Sequence, residues 1–162
     1  MKILLANPVV WALCLLALVA SIYSVRAALG YANVARDAED DFAYKTPKAM
    51  IPAGLSKEAY VEIYRRVNNP RAAAYVAGGL WSILLLTPVI FKALEWGLNL
   101  IYNLSGQNRV IEPGYLVWQF IIFFAVMMIW AGIAYGFARH FHRHAPGSLQ
   151  YELDQAVYGE PD

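Results

Sequence analysis

Three long stretches of the chain are continuously apolar, and the segments between them alternate polar and apolar residues in shorter patterns. The first stretch, residues 8–25, reads PVVWALCLLALVASIYSV and carries no charge; the second covers 71–91 and the third 115–138. Each is long enough as a helix, at about 1.5 Å per residue, to cross the roughly 30 Å apolar layer of a bilayer. Their entries share a signal. Asn7-Pro8 and Asn69-Pro70 put a capping side chain before a proline that tolerates the first helical position, and Pro113 is expected to start the third helix likewise.

Between the first two stretches, SKEAYVEIYRRVNNP places Tyr60, Ile63, Tyr64 and Val67 at i, i+3, i+4 and i+7, with Ser56 as the cap. A short amphipathic helix is predicted over about 56–68, lying on the membrane or packed on its own loop. Beyond Pro88, the segment 92–104 carries Leu94, Leu98 and Ile101 on one stripe. A bend at Pro88 and an interfacial extension follow from that pattern. The expected fold is therefore an all-α integral membrane protein with three transmembrane helices and short interfacial amphipathic helices.

This reading divides the chain into a first span (1–25), a loop (26–70), a second span with its extension (71–104), an outer loop (105–113), a third span (114–144) and a tail (145–162). Residues 1–27 also resemble the layout of a secretory signal, with small residues before a cleavage point after Ala27, but the apolar centre is long and retention as an anchor is expected. Orientation follows from the basic residues. Three lie on the side of the N-terminus and the 92–113 segment, and ten lie on the side of the 26–71 loop and the tail. The N-terminus is expected outside and the C-terminus in the cytoplasm. No arginine-rich amphipathic leader precedes the first span, so the expected location is a bacterial cytoplasmic (inner) membrane, multi-pass.

Composition agrees with this picture. Of 162 residues, 59% are hydrophobic and only 15% charged, against roughly 25% in soluble domains. The net charge of +1 gives no sign of a nucleic-acid partner, and the single Cys14 allows no internal disulfide or cysteine metal cluster.

Candidate chemistry is sparse. The apolar stretches 8–25 and 115–138 contain no Asp, Glu, Lys, Arg or His, which argues against a pump or transporter built from this chain alone. No nucleotide-binding glycine loop, nucleophile motif or metalloprotease helix occurs, no small-molecule substrate is evident, and no enzymatic activity is expected. All three histidines lie in ARHFHRHAPG. If the helix continues past Ala138, His140 and His144 share one face one turn apart, a pair that can ligate a metal but needs further ligands. A membrane haem would need its second histidine from a partner, because no other span has one. The competing reading is a cationic collar, with Arg139 and Arg143 anchoring the helix end at lipid headgroups. Lys92 and Trp96 are expected to anchor the opposite interface, with Glu95 as an available ion-pair partner for Lys92.

Small residues recur at helix-packing intervals: Ala74, Gly78 and Ser82 in the second span, Gly132 and Gly136 in the third. They suit contact with a partner helix or packing among the chain's own helices. Trp118, Phe120, Phe123, Phe124, Met127, Met128 and Trp130 surround most of the third span, as expected for a helix facing lipid or a large apolar partner. The expected function is that of a non-catalytic accessory subunit of a larger membrane complex, with a respiratory or photosynthetic assembly as first guess. Its partners would be membrane lipids and other integral subunits, with no cofactor of its own. The alternatives are a metal-, haem- or quinone-interacting protein that uses the histidines, or a membrane-bound assembly factor.

Overall fold

The computed structural model describes residues 8–159, with side chains from residue 10 onward. Asn7 and Lys2 lie outside the described residues. Among the described residues there are five helices: α1 (Pro8–Lys45), α2 (Lys57–Asn68), α3 (Arg71–Leu104), α4 (Leu116–Arg143) and α5 (Leu149–Tyr158). Single 3-10 turns occupy Thr46–Lys48 and Arg109–Ile111. Three of the helices, α1, α3 and α4, are long and apolar enough to cross a membrane.

Helix α1 is longer than its apolar stretch. Residues 26–45, which open the expected loop, continue the same helix and bring it to 38 residues, or about 57 Å. The reason is compositional: RAALGYANVARDAEDDFAYK is rich in alanine and contains no proline. Termination comes at Thr46-Pro47, where the proline disfavours helix in the residue before it, and Ala49 turns the chain with φ of 53°. Helix α2 begins as predicted, with Ser56 Oγ accepting the Ala59 amide at 3.2 Å.

Two expected helix entries differ. Asn69 does not cap α3; its buried Oδ1 accepts no hydrogen bond among the described residues. Pro113 is not the first residue of α4. Instead it sits in a turn in which the Tyr115 amide donates to the Glu112 carbonyl at 3.1 Å, with Gly114 at φ +92°. Proline followed by a left-handed glycine is the pattern of a type II turn, which reverses the chain before Leu116 starts the helix. Helix α3 is assigned as one helix from Arg71 to Leu104 with Pro88 inside it, so residues 92–104 extend the helix of the second span.

The chain forms two compact units. One contains residues 8–21 and 75–140, and its centre is an antiparallel hairpin of α3 and α4. The pairing of Tyr75 with Phe137 and of Thr87 with Trp130 fixes the register of that hairpin. The other unit contains residues 22–74 and 141–159. Its core is the fully buried Tyr60 with Ile63 of α2 and Leu153 of α5, covered by Phe42, Ile51, Leu55 and Leu149. Gly30 of α1 lets this unit close, since a Cβ there would stand 2.8 Å from the Pro70 ring.

Candidate functional site

In the hairpin unit the small residues divide into two groups. Gly78 and Gly79 of α3 carry Phe137: a Cβ on Gly78 would meet its ring at 3.0 Å and one on Gly79 at 3.6 Å. These positions serve packing within the chain. Gly132 and Gly136 are different, because an added Cβ meets nothing within 4 Å at either. Together with Ser82, they lie in a groove of about 460 Å³ between α3 and α4. Ala74 is half-buried beside the buried Ala73 and Ala77.

Thr87 and Trp130 form the polar link of this unit. The Thr87 hydroxyl donates to the Ile83 carbonyl at 2.6 Å and accepts the Trp130 indole N–H at 3.1 Å. Both groups are thereby satisfied where water is scarce. Trp118 is buried, at 6% exposure, and Trp130 is half-buried, so the expectation that the bulky residues of the third span face outward all round is corrected at these two. Phe120, Phe123, Phe124, Met127 and Met128 do remain exposed. The polar N–H of Trp130 was the available signal: a tryptophan deep in a span needs an acceptor, and Thr87 before a helical proline is a natural one.

The histidines lie at the C-terminal end of α4. His140 lies against Tyr75 with ring centroids 5.6 Å apart and planes tilted by 35°, and it helps to wall the groove. His142 meets Phe141 edge-on at 5.3 Å, and His144 follows the last helical residue. Among the described residues, no group of three or more His, Cys, Asp or Glu side chains is placed to hold a metal. Arg139 and Arg143 are exposed. At the other end of the hairpin Lys92 pairs with Glu95 at 2.8 Å, and Trp96 is 72% exposed.

The second unit holds a polar cluster that the helical pattern did not reveal. Tyr60 donates its hydroxyl to Asp41, while the Lys45 ammonium contacts Asp41 at 2.8 Å and donates to the Tyr60 oxygen at 3.3 Å. Burial works to raise the Asp41 carboxyl, but hydrogen bonds from Lys45 and Tyr60 outweigh it and hold the group below its ordinary value. The Asp41 bond raises Lys45 against the opposing effect of burial. Burial, reinforced by the bond to Asp41, pushes Tyr60 up to about 12. A phenol held protonated this firmly is a poor base or nucleophile at neutral pH. The cluster instead ties the polar half of α1 to α2. A neighbouring cavity of about 510 Å³ is lined by apolar groups such as Met50 and Leu149, with Lys45 and Asp154 as its charged members.

Comparison with known protein families, with curated proteins and with solved structures finds no match to this chain.

Proposed function

We propose that this chain is a non-catalytic accessory subunit of a larger bacterial membrane complex. A respiratory or photosynthetic energy-transducing assembly is the first candidate. The observation that carries the reading is a seam on α1. Leu15, Leu18, Ile22, Val25 and Leu29 follow alternate spacings of three and four residues, and all are between 56% and 63% exposed. That spacing is the one by which two helices pack with a shallow left-handed crossing. The seam also extends past Arg26, beyond the uncharged stretch, where lipid tails alone would not cover Leu29.

The distribution of basic residues supports an N-terminus outside and a C-terminus in the cytoplasm of a bacterial inner membrane. In that orientation α2, α5 and the polar half of α1 form a cytoplasmic module available to neighbouring subunits. The test is purification of the tagged protein from its native membrane in mild detergent, with a visible spectrum of the same sample. Co-purification of larger subunits in fixed ratio, with any colour belonging to them, is the expected result. Isolation as a single chain carrying metal, haem or quinone would overturn the proposal and direct attention to His140 and His144.

A further inference from the structure

Phe137 packs on Gly78 and Gly79 and also lines an open groove between α3 and α4. The floor of the open groove is Gly132, Gly136 and Ser82, and its walls are Leu86 and Ile133. Tyr75 and His140, in tilted ring contact, also line it. The volume, about 460 Å³, falls within the roughly 300–1,000 Å³ range of small-molecule sites. The groove is shallow and open along its length, so a ligand could enter sideways from the bilayer.

Arg139 lies just beyond the groove lining, next to His140 toward the C-terminal end of α4. Gly132, Gly136 and Arg139 are spaced i, i+4 and i+7, which places them along one face of α4. From Gly132 to Arg139 that face runs about 10.5 Å. Arg139 is exposed, and among the described residues it enters no ion pair. Its helix offers it no counter-charge, because the sequence has no carboxylate between Glu112 and Glu152. A neighbouring transmembrane helix seated on the glycines would cover this arginine and would need a carboxylate at a fixed depth. An anionic amphiphile supplies both halves at once: a chain for the bare helix surface and a charge for the guanidinium.

We propose that the groove binds one anionic phospholipid, with an acyl chain over Gly132 and Gly136 and its phosphate on Arg139. The site does not depend on the accessory-subunit reading, because it is built within this chain.

The experiment is native mass spectrometry of the full chain released from bilayers of phosphatidylglycerol or of phosphatidylcholine, counting lipids that stay bound. Wild type should retain one phosphatidylglycerol per chain in preference to phosphatidylcholine. Arg139→Gln should lower phosphatidylglycerol retention about fivefold, the contribution of one basic residue near an anionic headgroup, and phosphatidylcholine retention by less, because its choline cation offsets the phosphate. Gly136→Leu, which fills the groove, should lower both. Should Gly136→Leu fail to fold, Arg139→Gln carries the test, since its side chain is exposed. Equal retention of the two lipids by wild type, or no effect of Arg139→Gln, overturns the site. So does a Gly132→Cys variant that crosslinks to a protein helix in the native membrane.

Discussion

Trp130 donates its indole N–H to the Thr87 hydroxyl across the α3–α4 hairpin at 3.1 Å. Trp130→Phe removes the donor and, because phenyl is smaller than indole, some packing with it. The expected loss is at least about 0.5–1.5 kcal/mol, the range of hydrogen bonds between membrane helices, read as a lower unfolding midpoint in detergent. Thr87→Val should cost at least as much, because it leaves the indole N–H without its acceptor.

Tyr60→Phe removes the hydroxyl shared by Asp41 and Lys45 but keeps the buried ring. A loss of about 1.5 kcal/mol is expected, since Asp41 and Lys45 keep each other and have access to water. Tyr60→Ala would empty the core of the second unit and cost about 3–5 kcal/mol. Urea titration followed by the fluorescence of the second unit's tyrosines, together with protease resistance of residues 45–70, separates the two.

The same cluster sets a pH dependence. Asp41 is held below its ordinary value, so its contribution is present above the unfolded carboxylate pKa and fades as pH falls through the lower folded one. Lys45 and Tyr60 are raised, so their contributions are full below their unfolded values and fade as pH rises; for Tyr60 that loss runs from about 10 to about 12. Stability of the second unit should therefore be flat near neutrality and fall at both extremes. Asp41→Asn should remove the acid limb, and Tyr60→Phe should remove the tyrosine part of the alkaline limb, each checked by thermal unfolding across pH.

Two helical glycines give opposite expectations for the same substitution. Gly30→Ala would put a methyl 2.8 Å from the rigid Pro70 ring and should destabilise by about 1–3 kcal/mol, even after the better helix propensity is counted. Gly97→Ala meets nothing within 4 Å and should be neutral or stabilising by about 0.5–1 kcal/mol. Parallel thermal melts of the two variants decide the point.

The proposed topology has its own readout. In a Cys14→Ala background, Ser105→Cys should react with a membrane-impermeant thiol reagent added outside intact cells, and Ser148→Cys should react only after the membrane is opened. The reverse pattern would contradict the orientation drawn from the basic residues.

The sequence by itself determined the three long apolar helices and the Ser56 cap, because hydropathy and capping act over one or two turns. It also marked His140, Arg139 and the glycine pairs as positions worth locating. It could not say that Gly78 is used inside the chain while Gly132 and Gly136 stay open, since that depends on which helix face Phe137 occupies. The alanine content of 26–45 favours the extension of α1, but nothing local shows that Tyr60 meets Asp41 and Lys45 across 19 and 15 residues. Those relationships are made by side chains distant in sequence, and only the packing of α1 on α2 and of α3 on α4 brings them within bonding range.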